Sequence, residues 1–199
     1  MPARALLALM TLTLCAAAAV AGVVLAQPDT ERVEVGREGF AGAVRPPGTH
    51  VPAFRLADQD GEVVTAADVR GRPAIFTFVY STCKDTCPAQ VQAIRGALDD
   101  LGRDVPVYGV SVDPANDTEE RARAFLLEQS MRGRMRFLLG PQERLEPLWR
   151  AFGIAPQRGE LDHSAYVVLV DAAGRQRVGF PFSQLTDARL AHDVGRLLG

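Results

Sequence analysis

The chain has 199 residues, 47% of them apolar and 23% charged, and a formal net charge of −2. That supplies one sizeable core plus a short appendage, so no disulfide or metal is required for folding alone. The balanced charge and the absence of a long basic run exclude a nucleic-acid binder; Arg132, Arg134 and Arg136 read as a polar turn entering a strand.

The N-terminus is distinctive. Arg4 precedes an uncharged stretch over residues 5–26, which at helical rise could cross a hydrocarbon core of about 30 Å. It ends in Val24-Leu25-Ala26, with small residues where a signal peptidase acts. Its length favours a retained transmembrane anchor over a cleaved signal peptide, and Arg4 predicts an N-in orientation. Both readings place the rest of the chain outside the cytoplasm, on the periplasmic face of an inner membrane. A lipoprotein site at Cys15 is disfavoured by the bulky Leu14. Residues 1–26 are thus a signal-anchor or signal peptide, 27–50 a flexible linker mixing charges with Gly and Pro, and 51–199 the folded domain.

From residue 51 the elements follow closely. Residues 54–56 and 62–64 flank Asp58-Gln59-Asp60-Gly61 and predict a hairpin. The run AIFTFVY at 74–80 predicts a buried strand. Val91, Ile94, Leu98 and Leu101 give a helical face over 88–101, and VPVYGVSV at 105–112 a second strand. Asp117, Thr118, Glu119 and Glu120 form a capping pattern for a helix over 118–129. A short strand at 136–139 precedes a helix carrying Leu145, Leu148, Trp149 and Phe152. Residues 165–170 and 177–182 flank the turn Asp171-Ala172-Ala173-Gly174, and Leu190, Val194 and Leu197 mark a last helix. The order predicts an α/β fold: a thioredoxin-like central mixed sheet flanked by helices, an antiparallel pair at its edge, an N-terminal hairpin extension and the N-terminal membrane segment.

Cys83 and Cys87 are the cysteines of the exported domain. They fall between the first buried strand and a helix, and Pro88 at a first-turn position marks Cys87 as the expected N-cap. Ligands bind at the carboxyl ends of strands in open α/β sheets, and a helix N-terminus lowers thiol pKa values, so both sulfurs are expected to gain thiolate character. Three residues, Lys84, Asp85 and Thr86, separate the cysteines where thioredoxin-type redox motifs have two. Such a loop can close a redox-active disulfide or turn both soft sulfurs toward one metal such as Cu(I). A purely structural disulfide is the plain alternative, disfavoured because so short a loop contributes little chain entropy.

Among imidazoles, His50 lies in the linker and His192 on the terminal helix, remote from the cysteines. His163 precedes the strand at 165 in Asp162-His163-Ser164, a loop that a thioredoxin-like order brings to the cysteine end. Two thiolates and one imidazole suit copper as Cu(I) or Cu(II).

With these residues assembled, the chain resembles the Sco/SenC family of copper chaperones for cytochrome c oxidase assembly. The resemblance rests on Phe54-Arg55-Leu56 with Asp58-Gln59-Asp60-Gly61, on Phe78-Val79-Tyr80-Ser81-Thr82-Cys83 and Cys87-Pro88, on Ser111-Val112-Asp113-Pro114 with Asp117-Thr118, and on Asp162-His163-Ser164. It implies a thioredoxin-like copper-binding domain over 51–199, copper held by Cys83, Cys87 and His163, and an N-terminal membrane anchor. It implies as partner a copper-accepting oxidase subunit whose dinuclear site receives copper or has its thiols reduced. A thioredoxin-like reductant or another copper chaperone would act upstream. Many members carry Pro after the first cysteine; Lys84 stands here, and its cation is expected to depress the thiol pKa values. Asp113 ends the adjacent strand near the site, or serves simply as a turn residue before Pro114.

Two functions share these residues: metal delivery, and thiol-disulfide oxidoreduction without a delivery role. A peroxide-reducing enzyme of the same fold ranks last, because Phe76 and Tyr80 stand where its motif has Pro and Thr.

Overall fold

The computed structural model describes residues 33–36, 38–154 and 165–199. The expectations for residues 1–26, Cys15 and His163 lie outside the described residues. Among the described residues no helix is long and apolar enough to cross a membrane.

The strands are β1 (Ala43–Val44), β2 (Arg55–Ala57), β3 (Val63–Thr65), β4 (Ala74–Val79), β5 (Val107–Ser111), β6 (Met135–Leu138), β7 (Tyr166–Val170) and β8 (Gln176–Pro181). The helices are α1 (Thr86–Leu101), α2 (Glu119–Glu128), α3 (Gln142–Phe152) and α4 (Asp187–Leu198). One six-stranded sheet has the order β1-β8-β7-β4-β5-β6, and β2-β3 pair separately as a hairpin. β4, β5 and β6 run parallel; β7, β8 and β1 add antiparallel neighbours. The fold is thioredoxin-like, with a mixed sheet and helices on both faces.

The period-2 alternation of β4 organises the interior. Ile75 and Val79 enter one cluster with Val91, Ile94 and Leu98 of α1, Phe125 of α2, and Leu190 and Val194 of α4. Phe76 and Phe78 enter the other with Leu145, Leu148, Trp149 and Phe152 of α3 and Leu56 and Val64 of the hairpin. Phe152 stacks against both, with ring centroids 4.9 Å from Phe76 and 5.2 Å from Phe78. A strand buried on both faces carries no polar alternation, which is why 74–79 reads as an apolar run.

The antiparallel pair is not at the sheet's edge: β7 lies between β8 and β4, and the two-residue β1 covers β8. That strand belongs to the segment read as linker. Phe40 and Ala41 are buried, and the Asp193 carboxylate of α4 accepts hydrogen bonds from the backbone N–H groups of Ala41 (2.8 Å) and Gly42 (2.9 Å). Arg196 lies over the Phe40 ring at 5.1 Å. From Phe40 onward the chain is built into the domain, because a buried carboxylate and an aromatic ring give it fixed partners.

Candidate metal and redox centre

The parallel strands β4 and β5 end side by side, Val79 opposite Ser111, and Val112 N–H extends the ladder by donating to Val79 O at 3.1 Å. The chain then turns: Cys83 N–H donates to Tyr80 O at 3.2 Å, closing Tyr80-Ser81-Thr82-Cys83. α1 starts at Thr86 with Asp85 as its cap residue, two positions before Pro88 was expected to set it. Cys87 is therefore not the N-cap but lies in the first turn, where Pro88 is tolerated because its missing N–H would have had no intrahelical partner. This places the Cys87 N–H against the Cys83 sulfur at 3.3 Å. Both thiols are buried and unbridged.

The two sulfurs differ electrostatically. The Cys87 thiol donates a hydrogen bond to Cys83; burial opposes ionisation, but backbone N–H groups of Asp85 and Cys87 and the Tyr80 phenol add to the stabilisation, and the Cys83 thiol is pushed down to about 4. Cys87 goes the other way. Giving its proton to that bond, and being buried beside the Cys83 charge and near Asp117, it is held well above the ordinary thiol range. The expectation that both thiols gain thiolate character is corrected: the pair shares one proton, and it stays on Cys87. Tyr80 is likewise raised, by burial first and then by its bond to Cys83. Lys84 is exposed, where solvent screens its charge; hydrogen bonds lead in lowering Cys83.

The remaining candidates separate by topology. His50 bridges to Arg175 beside the β7–β8 turn. That end of the sheet is opposite the cysteines, since Val170 pairs with Ala74 at the start of β4. His192 binds Asp193 through Nδ1 at 2.8 Å on a helix packed along the second half of α1, with Asp187 at Gly96 and Gly195 at Leu101. Neither joins the site. β7 begins at the cysteine end: Thr77 pairs with Val167, and Gln90 of α1 donates to Tyr166 O at 3.3 Å. Among the described residues no group of three or more His, Cys, Asp and Glu gathers as a metal cluster. Asp113 accepts from Asn116 Nδ2 at 2.9 and 3.1 Å, which matches its turn role.

A family profile for SCO1/SenC matches residues 43–199. The chain belongs to the SCO1/SenC family. Protein SenC of Rhodobacter capsulatus is 32% identical over 163 residues, 76% of this chain and 71% of that protein. A SCO2-like protein of Rickettsia prowazekii is 25% identical over 135 residues, 61% of this chain; the match spans 64% of that relative's length. Among solved structures, Bradyrhizobium japonicum ScoI with copper bound aligns with a TM-score of 0.63 at 28% identity, covering 75% of this chain and 99% of that one.

The role of Asp117, which the sequence offered in a capping pattern and beside the motif Ser111-Val112-Asp113-Pro114, was not legible there. Asp117, read as part of a capping pattern, accepts from Ser81 N–H (2.7 Å), Ser81 Oγ (2.6 Å) and Ser111 Oγ (2.5 Å). The N-cap of α2 is Thr118, whose side chain accepts from Arg121 N–H. A local pattern gives no sign of a bond 36 residues back; an aspartate six residues past the strand-ending Ser111 was the available hint.

Proposed function

We propose that this protein is an extracytoplasmic, thioredoxin-like assembly factor that binds copper through Cys83, Cys87 and His163. It delivers copper to, or prepares the thiols of, the dinuclear copper site of a cytochrome c oxidase subunit. The observation that carries the reading is the pair of buried, unbridged sulfurs at the carboxyl end of β4, with the Cys87 N–H 3.3 Å from the Cys83 sulfur. Thiolate sulfurs are soft donors that fit copper; when the metal binds, the Cys87 thiol releases its proton to solvent, and copper would then meet two thiolates. The copper-bound ScoI relative supports the choice of metal. His163 is two residues before Ala165, whose carbonyl accepts from Phe182 N–H at 3.0 Å at the cysteine end of the sheet; two residues of chain span at most about 7 Å. Copper is cargo here, and residues 1–26 would hold the domain at the membrane.

A second reading, a thiol-disulfide oxidoreductase without delivery, draws on the asymmetry of the pair. The Cys83 thiolate would attack a partner disulfide, releasing one partner thiolate and forming a mixed disulfide. Cys87, losing its proton to solvent, would then attack Cys83 Sγ and release the second partner thiol. Two electrons pass to the partner and leave a Cys83–Cys87 disulfide, which a thioredoxin-like reductant must reopen before copper can bind.

His163→Ala separates the readings in the full-length chain. It is expected to weaken copper binding severely while Cys83 and Cys87 still form a disulfide. Copper bound near one equivalent at unchanged affinity would sink the three-ligand site. Rapid turnover of a generic disulfide by copper-free protein would favour the oxidoreductase.

A further inference from the structure

We infer that Asp117 is a positioning residue for the Cys83–Cys87 centre, acting through Ser81. The inference deepens the copper-site reading and rests on it for its copper arm.

The loop bearing Cys83 is a turn whose second residue is Ser81, closed by the hydrogen bond from Cys83 N–H to Tyr80 O. Its backbone direction at Ser81 is fixed from outside. Asp117 Oδ1 receives both the Ser81 N–H and its hydroxyl, while Oδ2 receives the Ser111 hydroxyl. Asp117 is itself held: its N–H donates to Asp113 O at 2.9 Å, and Ser111 is fixed by the β4–β5 ladder and by Trp149 Nε1, which donates to Ser111 O at 2.9 Å. A chain of bonds thus runs from α3 through the end of β5 to the residue two positions before Cys83. Asp113, nearer in sequence to the strand end, spends its carboxylate on Asn116.

The chemistry needs such a brace. A metal held by two side chains of one loop and helix turn requires both sulfurs in a fixed relation, and losing an outer-shell partner that fixes a ligand typically costs about 10- to 100-fold in affinity. Cys87 is fixed by α1, and Cys83 by a turn that Asp117 pins. The brace works through hydrogen-bond geometry, so an amide should replace the carboxylate. Asn accepts from Ser81 through its oxygen and donates to Ser111 Oγ through its nitrogen.

The test uses the full-length reduced chain with Asp117→Ala, Asp117→Asn and Ser81→Ala. Cu(I) affinity is read by competition with a chromogenic chelator, and the rate of Cys83 with an aromatic disulfide is read in copper-free protein, both well below the measured melting temperature. Asp117→Ala is expected to weaken copper binding by about 10- to 100-fold and to change the exchange rate, Asp117→Asn to restore most of both, and Ser81→Ala to fall between. Wild-type affinity and exchange rate in Asp117→Ala, with only the melting temperature lowered, would overturn the inference. So would Asp117→Asn behaving like Asp117→Ala. If Asp117→Ala does not fold, an unaltered Ser81→Ala overturns it. Should the wild-type chain bind no copper, the copper reading fails on its own, and the exchange rates alone decide the role of Asp117.

Discussion

The ionised Cys83 makes a prediction whose sign depends on pH. Consider reaction of the reduced, copper-free chain with an aromatic disulfide. An ordinary thiol at 9.0 is about 1% thiolate at pH 7, whereas Cys83 at about 4 is ionised there. That gains about 100-fold in reactive species. Intrinsic nucleophilicity falls as basicity falls, with a Brønsted slope of about 0.4–0.5. A five-unit depression therefore costs about 100- to 300-fold per thiolate. At pH 7 the two effects nearly cancel, and the rate there says nothing. At pH 5 the ordinary thiol is about 0.01% ionised while Cys83 remains mostly so, and Cys83 should react about 30- to 100-fold faster. The limited exposure of Cys83 lowers the rate at every pH and leaves the shape of the profile unchanged. Stopped-flow absorbance between pH 3.5 and 9 measures it. The expected profile is flat from about pH 8 to 5 and falls below, and Cys87→Ala, lacking the principal donor, should move the fall to higher pH. A rate climbing about tenfold per pH unit between 6 and 8 would refute the hydrogen-bonded thiolate.

Other consequences follow from the same contacts. Phe152→Ala removes the ring under Phe76 and Phe78 and should cost about 3–5 kcal/mol, lowering the melting temperature by roughly 6–20 °C. Because Phe152 lies on the sheet face away from α1, the pH profile of Cys83 at low temperature should not move; a moved profile would contradict the separation of the two clusters. Asp193→Ala deprives the Ala41 and Gly42 N–H groups of their acceptor. It should cost roughly 2–4 kcal/mol and open residues 38–45 to limited proteolysis; unchanged protease resistance would contradict the docking of this segment. His163→Ala should abolish tight copper binding and spare the disulfide, as measured by copper titration and thiol counting.

The sequence displayed what local patterns encode. β4 was legible because both its faces are buried, and α3 because Leu145, Leu148, Trp149 and Phe152 repeat at helical spacing. The cysteine end was legible through Pro88 and the strand before it, although Pro88 set the helix start late: a helix can begin before its proline when that proline falls in the first turn. β1 was not legible. Ala43 and Val44 are too short a run to show periodicity, and their place comes from pairing with Gly179 and Val178 of β8 and from Asp193, which holds the preceding Ala41 and Gly42 from about 150 residues away. The split between the two thiols was hidden for a similar reason. Helix-terminus reasoning treats both sulfurs alike, while the outcome depends on which one donates to the other.

Cys83 and Cys87 together are proposed to hold copper. The most direct measurement is titration of the reduced full-length chain with copper, followed by electronic absorption of the bound Cu(II) form. One copper per chain with thiolate-to-copper charge-transfer bands, lost on replacing either Cys83 or Cys87 with Ser, is the predicted result. Copper bound without those bands, or bands that survive both substitutions, would contradict it.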